Sequence, residues 1–193
     1  PEIYSFRSLA DFADAVSHAG ETRYPVHIKL DTGMHRLGFM EGEIGRLCEV
    51  LPTLPAVKVA SVFSHLNCAD MPEEDAYTRE QIARYDRMSA AVAASLPYSV
   101  IRHTANSAAI ERFPEARFDM CRLGLGLYGF GWEHNAGLRP VSALKTRIVQ
   151  IKRLEAGDAV GYGCAGKLLR PTVTATVPIG YADGLDRHLG CGR

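Results

Sequence analysis

The architecture of the first half of the chain follows from the segment VHIKLDTG, in which Val26-His27-Ile28-Lys29-Leu30 is followed by Asp31-Thr32-Gly33 (residues 26–33). It is a short apolar run that ends in turn residues, a pattern typical of a buried strand. Residues 8–19 before it and residues 41–51 after it place apolar side chains at helical spacing. A strand between two amphipathic helices predicts an α/β unit with a parallel sheet.

The same alternation of elements continues toward the C-terminus. The pattern predicts a strand over residues 57–65, a helix over 72–96, a strand over 99–103, a helix from about Asn106 and a strand over 119–125. Because strands and helices alternate, we predict a parallel sheet with its helices outside.

A different pattern begins near Gly137-Leu138-Arg139-Pro140. Residues 141–154 alternate apolar and polar side chains over most of their length, and residues 172–179 are largely β-branched. Turn residues at Ala156-Gly157-Asp158 separate the two segments. Alternation and β-branching predict a second domain of antiparallel strands.

Composition excludes several classes of function. The chain has 193 residues, of which 47% are hydrophobic, and its 22 Lys+Arg balance its 22 Asp+Glu. A neutral chain without a basic patch does not favour nucleic-acid binding. The chain also lacks the run of about 20 apolar residues that a membrane helix needs. The start, Pro1-Glu2-Ile3-Tyr4, is no signal peptide, so we expect the chain to begin inside a longer protein.

The five cysteines are scattered and none forms a CxxC pair. This usage predicts reduced thiols in a cytosolic protein, and the spacing gives no support for a metal site.

Polar and cationic residues follow the predicted strands at the ends where parallel barrels carry their functional groups. These strand ends are residues 29–36, 64–67, 102–107 and 122–126. Each residue also has a plainer interpretation. Lys29 could form a surface ion pair with Asp31, and Arg122 could extend to solvent. His65 could be a histidine of the core. Asn106-Ser107 could cap a helix, and Gly124 and Gly126 could be turn glycines. Their joint placement is what indicates function.

Two further features bear on ligand chemistry. Asn106-Ser107 at a helix start and Gly124-Leu125 in a tight turn would offer a hydroxyl and backbone N–H groups to a phosphate. Tyr162 lies between two glycines, where it is either a loop aromatic that covers the core or an acid–base residue.

Six strings together resemble alanine racemase, and the resemblance covers essentially the whole chain. They are KLDTGMHRLGF (29–39), SHLNCAD (64–70), HTANSAAI (103–110), RLGLGLYG (122–129), AVGYG (159–163) and VPIGYADG (177–184). The resemblance implies the second half of a (β/α)8 barrel that binds pyridoxal 5′-phosphate (residues 1–138), followed by the start of an antiparallel β domain (residues 139–193). It also implies a cytoplasmic homodimer that interconverts L- and D-alanine, supplying D-alanine for peptidoglycan.

The resemblance also implies roles for individual residues. Lys29 matches a lysine that is often carbamylated and orients Arg36, the arginine near the cofactor hydroxyl and the substrate carboxylate. His65 matches a histidine packed against the pyridine ring, and Arg122 matches the arginine that hydrogen-bonds the pyridine nitrogen. Tyr162 matches the catalytic tyrosine, which serves the active site of the other subunit.

The remaining implied roles concern the phosphate and the access route. Ser107, Gly124 and Leu125 match contacts of the cofactor phosphate, with Asn106 beside them; Asp70, Tyr181 and Arg187 match residues of the substrate access corridor. The family's Schiff-base lysine would lie upstream of Pro1, so we expect this chain alone to be an inactive fragment.

Three alternatives remain open at this point. The chain could come from a racemase of serine, lysine or ornithine, or from a decarboxylase on the same barrel. Arg122 speaks against the decarboxylases, in which the family pattern has a carboxylate at the pyridine nitrogen. A non-catalytic barrel module that binds pyridoxal phosphate, or only a partner chain, is the third alternative. Barrel relatives of that kind lack a β domain, so the alternating residues 141–154 count against it.

Overall fold

A computed structural model describes residues 1–132 and 137–190. The chain forms two compact units, Pro1–Val141 and Ser142–Arg193. The first unit contains β1 (Glu2–Ile3), α1 (Phe6–His18), β2 (Tyr24–Lys29), α2 (Ile44–Val50), β3 (Val57–Phe63), α3 (Asp75–Ala94), β4 (Ile101–His103) and α4 (Ser107–Arg112). The second unit contains β5 (Gln150–Leu154), β6 (Ala159–Val160), β7 (Gly166–Lys167) and β8 (Thr172–Thr176).

The first unit is built on a four-stranded parallel sheet in the order β1-β2-β3-β4. Its strands bury Ile28 and Val62 completely, and α1, α2 and α3 contribute Leu9, Leu47 and Val92 to the same core. The predicted parallel α/β architecture is therefore confirmed. Burial of the apolar faces of the helices against the sheet is what holds the unit together.

The predicted helices and strands up to residue 112 are present, with ends that shift by a few residues. Helix α1 begins after Ser5, whose side chain accepts the N–H of Ser8 while the Ser8 hydroxyl accepts the N–H of Ser5. Such reciprocal capping satisfies backbone donors that the first turn of a helix leaves without partners. Strand β1 was not predicted, because two residues are too few to show a periodicity.

The predicted strand over residues 119–125 is wrong. This segment runs beside β4, where the N–H of Asp119 donates to the carbonyl of Arg102 and the N–H of Arg122 donates to the carbonyl of Ala105. The N–H of Arg102 donates to Oδ2 of Asp119 at 2.8 Å, where a strand would offer a backbone carbonyl. A side-chain acceptor thus replaces the backbone ladder, and the segment leads instead into a 3-10 turn over Leu125–Tyr128.

The second unit contains two antiparallel pairs, β5 with β8 and β6 with β7. The predicted antiparallel β structure is confirmed, but the predicted strand over 141–154 is regular only over Gln150–Leu154. The regular part ends where the partner strand ends, since Gln150 is paired with Thr176, the last residue of β8. An alternating sequence forms a strand only where a neighbour supplies hydrogen-bond partners.

Within residues 1–132 and 137–190, the structure has no helix whose length and apolar character would let it cross a membrane.

Candidate active site

A cavity of about 680 Å³ lies in the first unit, lined by residues that follow β2, β3 and β4 and by the loop after α4. The predicted site residues that line it are His65, Asp70, Asn106, Ser107, Arg122, Gly124 and Leu125. These residues are far apart along the sequence, and the parallel sheet brings them together because the carboxyl ends of its strands share one edge. The loops between strands and helices therefore form one polar-lined cavity.

Arg122 is the most heavily bonded side chain of this cavity. Its Nη2 donates to the carbonyls of Ser64 at 2.6 Å and Thr104 at 3.3 Å, and its Nη1 donates to the carbonyl of His103 at 3.3 Å. Burial lowers the pKa of the guanidinium below its ordinary value. The carbonyls hold the group in place, so the alternative in which Arg122 extends to solvent is wrong.

His65 is half-buried beside Arg122, with its Nδ1 3.4 Å from Nη2 of the arginine. Its pKa is lowered, first by burial and then by the charges of Arg122, Arg36 and Lys29. A histidine with a lowered pKa is neutral at physiological pH. Its position in the cavity wall distinguishes it from a histidine enclosed in the core.

Ser107, at the start of α4, holds the loop that contains Gly124 and Gly126. Its Oγ accepts the N–H of Gly124 at 2.9 Å and the N–H of Gly126 at 3.1 Å. Asn106 caps α4, since its Oδ1 accepts the N–H of Ala109 at 3.0 Å. The capping interpretation is therefore correct for Asn106, whereas Ser107 uses its hydroxyl to hold the loop that follows residue 122.

At the end of β2, the ion pair between Lys29 and Asp31 that the sequence allowed does not form. Lys29 is buried, and its Nζ lies 3.0 Å from Oε1 of Glu2, not against Asp31. Asp31 instead accepts the N–H groups of Gly33 and His35 through Oδ1, each at 3.0 Å. Arg36 is exposed, and in the described ranges its guanidinium has no hydrogen-bond acceptor.

The turn after β2 requires its glycine. Gly33 has φ +140°, and a Cβ at this position would collide with the hydroxyl of Tyr77, which donates to the Gly33 carbonyl at 3.0 Å. The Asp31 carboxylate and the Tyr77 hydroxyl therefore fix the backbone that leads to Arg36.

Asp70 lies at the edge of the cavity with an exposed side chain. Its carbonyl accepts the indole N–H of Trp132 at 2.9 Å, and the indole ring lies 4.3 Å from the guanidinium carbon of Arg112. Arg112 in turn donates to the carbonyl of Ala69 and pairs with Asp75 at 2.6 Å. These contacts tie Trp132 to the loop that carries Asp70.

Three residues behind the cavity wall contact Arg122 directly or through one another and were not singled out from the sequence, although His103 stood in one of the strand ends. His103 stacks on Phe63 with ring centroids 5.2 Å apart, and its Nδ1 lies 2.6 Å from Nη1 of Arg122. Its Nε2 lies 3.0 Å from Oγ of Ser61. Strand register places these residues together, because it pairs Phe63 with His103 across β3 and β4. Side chains two residues apart in a strand lie on the same face of the sheet, so Ser61 and Phe63 could have been assigned to one face of β3 from the sequence.

Tyr162, Tyr181 and Arg187 belong to the second unit. Tyr162 is 96% exposed, and its neighbours Gly161 and Gly163 have positive φ angles of 81° and 64°. Its exposure rules out the interpretation as a loop aromatic that covers the core of this unit. The guanidinium carbon of Arg187 lies 5.2 Å from the ring centroid of Tyr181, so these two residues are in contact within the second unit.

Comparisons with known proteins bear on this arrangement. Residues 1–131 match the family model described as alanine racemase, N-terminal domain, and residues 141–193 match alanine racemase, C-terminal domain. An alanine racemase of Symbiobacterium thermophilum is 44% identical over 168 residues, 85% of this chain and 44% of its own length. One of Syntrophobacter fumaroxidans is 37% identical over 98% of this chain and 51% of its own length.

Solved structures give the same result. The alanine racemase of Streptomyces coelicolor A3(2) superposes with a TM-score of 0.85 at 30% identity, covering 97% of this chain and 51% of its own. That of Bartonella henselae, described with covalently bound pyridoxal phosphate, superposes with a TM-score of 0.76 at 29% identity, covering 98% of this chain and 51% of its own. The chain thus spans about half the length of the relatives it matches. Since both family models match in order and the fold agrees, this chain belongs to the alanine racemase family.

Proposed function

We propose that this chain forms the cofactor-holding part of an enzyme that interconverts L- and D-alanine with pyridoxal 5′-phosphate. The observation that carries the proposal is one cavity that brings together Arg122, His65 and Ser107 in a chain of this family. We assign residues 1–138 to the cofactor-binding part and residues 139–193 to the β domain that carries Tyr162. We further propose a cytoplasmic homodimer whose product is D-alanine for peptidoglycan.

The residues of the cavity fit the two ends of pyridoxal phosphate. The Ser107 hydroxyl accepts two backbone N–H groups, so its own hydrogen is left to donate to a phosphate oxygen. Gly124 carries no side chain at this point, and an added Cβ would meet only the Ser107 hydroxyl, at 3.7 Å. Arg122 and His65 form the other wall, where a guanidinium and a neutral imidazole suit a flat heteroaromatic ring.

When bound, pyridoxal phosphate supplies an electron sink that stabilises negative charge at the α-carbon of an amino acid. Arg122 would donate to the pyridine nitrogen and keep it unprotonated, because two N–H donors cannot share one hydrogen bond. A weaker sink limits transamination, a side reaction that competes with racemisation. Arg36, exposed and without a carboxylate partner among the described residues, would hold the substrate carboxylate.

Racemisation removes a proton on one face of the α-carbon and returns one on the other, so it needs two acid–base groups. We propose Tyr162 as one of them, acting in the active site of the other subunit. The second is the cofactor lysine, which we expect outside this chain. We also propose that Lys29, when carbamylated, orients Arg36, and that Asp70, Tyr181 and Arg187 line the route of the substrate.

Cofactor binding tests the proposal directly on this chain. We expect pyridoxal phosphate to bind, measured by the quenching of intrinsic fluorescence, and Ser107→Ala to weaken binding by about tenfold through the lost hydroxyl. Ser17→Ala is the matched control, because that hydroxyl only donates to the carbonyl of Ala13 within α1. Equal affinity of the Ser107→Ala and Ser17→Ala variants would contradict the assignment of the phosphate site.

A further inference from the structure

Ser61 lies between two histidines on the sheet. Its Oγ is 3.0 Å from Nε2 of His103 on β4 and 2.7 Å from Nδ1 of His27 on β2. The register pairs Ser61 with His27 directly, and Phe63, two residues further along β3, with His103. A continuous series of hydrogen-bonded side chains therefore crosses three strands, from Arg122 through His103 and Ser61 to His27.

The hydrogens in this series have one consistent arrangement. A guanidinium can only donate, so Nη1 of Arg122 at 2.6 Å requires Nδ1 of His103 to be an unprotonated acceptor. His103 is 4% exposed, and burial, followed by the charges of Arg122 and His27, lowers its pKa to about 4. A neutral His103 must then carry its hydrogen on Nε2 and donate it to Ser61.

Ser61 is 1% exposed, so its own hydrogen also needs an acceptor inside the protein. Nε2 of His103 already carries a hydrogen, which leaves Nδ1 of His27 as the acceptor within reach among the described residues. Phe63 restrains the His103 ring from one side by stacking at an interplanar angle of 4°. The imidazole is thus held by a donor on one nitrogen, an acceptor on the other and an aromatic ring on its face.

We propose that Ser61 is a positioning residue that acts through His103 to orient the guanidinium of Arg122. By accepting from Nε2–H, Ser61 keeps the lone pair of Nδ1 directed at Arg122. His27 completes the series by accepting the serine hydrogen. The consequence at the pyridine nitrogen rests on the proposed function, whereas the arrangement of hydrogens within the chain does not.

Histidine NMR on the ¹⁵N-labelled chain near pH 7 tests the proposal without any cofactor. The wild-type chain should show His103 as the Nε2–H form. Ser61→Ala should raise the ratio of the Nδ1–H form to the Nε2–H form, or shift the Nδ1 resonance as Arg122 moves away, with a change of at least about fivefold in the ratio. Ser61→Thr keeps a hydroxyl and should restore the wild-type pattern.

The control is Ser89→Ala. Ser89 is equally buried and accepts from Nε of Arg102 at 2.9 Å, but Arg102 precedes His103 and its side chain contacts α3 instead. Loss of this buried hydroxyl should lower stability and leave the His103 resonances unchanged. His27→Ala, at an exposed residue, tests the series from its other end and should move the Nε2 resonance of His103 by a smaller amount.

Unchanged His103 resonances in folded Ser61→Ala, or in His27→Ala if Ser61→Ala does not fold, would overturn the proposal. An Nδ1–H form in the wild-type chain would overturn it as well. Because these readouts need neither cofactor nor turnover, they separate this proposal from the proposed function. If the chain shows the expected NMR pattern but does not bind pyridoxal phosphate, the proposed function is refuted and the positioning role of Ser61 is retained.

Discussion

Nη1 of Arg122 lies 2.6 Å from Nδ1 of His103, and this contact joins the wall of the cavity to the interior of the parallel sheet. A guanidinium is always a donor, so it stays bonded to His103 only while the imidazole is neutral. The protonation state of this buried histidine therefore decides whether it accepts from the arginine that we propose for the cofactor, while the carbonyls of Ser64, His103 and Thr104 remain acceptors in either state.

The stability of the chain should depend on pH through His103. The pKa of His103 is about 4 in the folded chain and 6.5 in its ordinary state, so the unfolded chain binds more protons between these values. The neutral ring contributes its full stability above about pH 6.5, and that contribution is lost as pH falls toward 4. Urea unfolding at pH 7 and pH 4.5 measures the loss. His103→Gln, which keeps an acceptor but does not titrate, should show a smaller difference between the two pH values; an equal difference would exclude His103 as the source.

Arg36→Ala should lower kcat/KM for alanine in a family-length protein that contains this chain. A charge-assisted hydrogen bond to a carboxylate contributes about 1.5–3 kcal/mol, so the loss should be at least about tenfold. Racemisation followed by chiral chromatography measures it, and Arg7→Ala is the control because that side chain is 92% exposed on α1. Arg36→Ala with the kcat/KM of the control would remove Arg36 from the proposed substrate site.

Arg122→Glu should make the same family-length protein more prone to transamination. A carboxylate beside the pyridine nitrogen favours the protonated form of that nitrogen. Each unit by which the pKa of the nitrogen rises increases its protonated fraction by about tenfold. The readout is the amount of pyruvate formed per alanine racemised. Glutamate would also face the carbonyls that now accept from Arg122, so the variant should be less stable, and Arg122→Gln separates lost charge from introduced charge. A ratio that rises equally in both variants would contradict the electrostatic explanation.

The 193-residue chain by itself should bind pyridoxal phosphate without racemising alanine. Removal of a group that acts in covalent catalysis costs several orders of magnitude in rate, and we expect the cofactor lysine to lie outside this chain. Borohydride reduction followed by mass spectrometry would detect a covalent adduct. A stoichiometric adduct on one lysine, together with racemisation that Tyr162→Phe lowers, would show that the chain is a working enzyme alone.

The family and the order of the first elements were readable from the sequence because both depend on local patterns. Helical spacing in residues 8–19 and 72–96 and the apolar run at residues 26–30 depend on side chains close together in the chain. Strings such as KLDTGMHRLGF identify the family through residue identity alone. Local periodicity and the order of the motifs therefore predicted the parallel α/β part and the β domain.

The strand expected over residues 119–125 could not be judged in this way. The order of its apolar and polar residues is typical of a strand. In the structure, however, the carboxylate of Asp119 accepts the N–H of Arg102, which a backbone carbonyl would accept in a sheet. Whether a segment joins a sheet depends on what its neighbour offers across space, and the local pattern does not contain that information. The same reason limits β5 to the residues that β8 can pair.

The family, the alternation of elements and the residue types at the strand ends could all be read from the chain before its fold was known, because local pattern and residue identity carry them. Which side chains meet depends on the folded chain. Folding buries Lys29 beside Glu2 and directs the Arg122 guanidinium toward backbone carbonyls. It also joins His103, Ser61 and His27 into one hydrogen-bonded series. Strand register sets these contacts, and register is a property of two segments together, since shifting either strand by one residue would reverse the faces of its side chains.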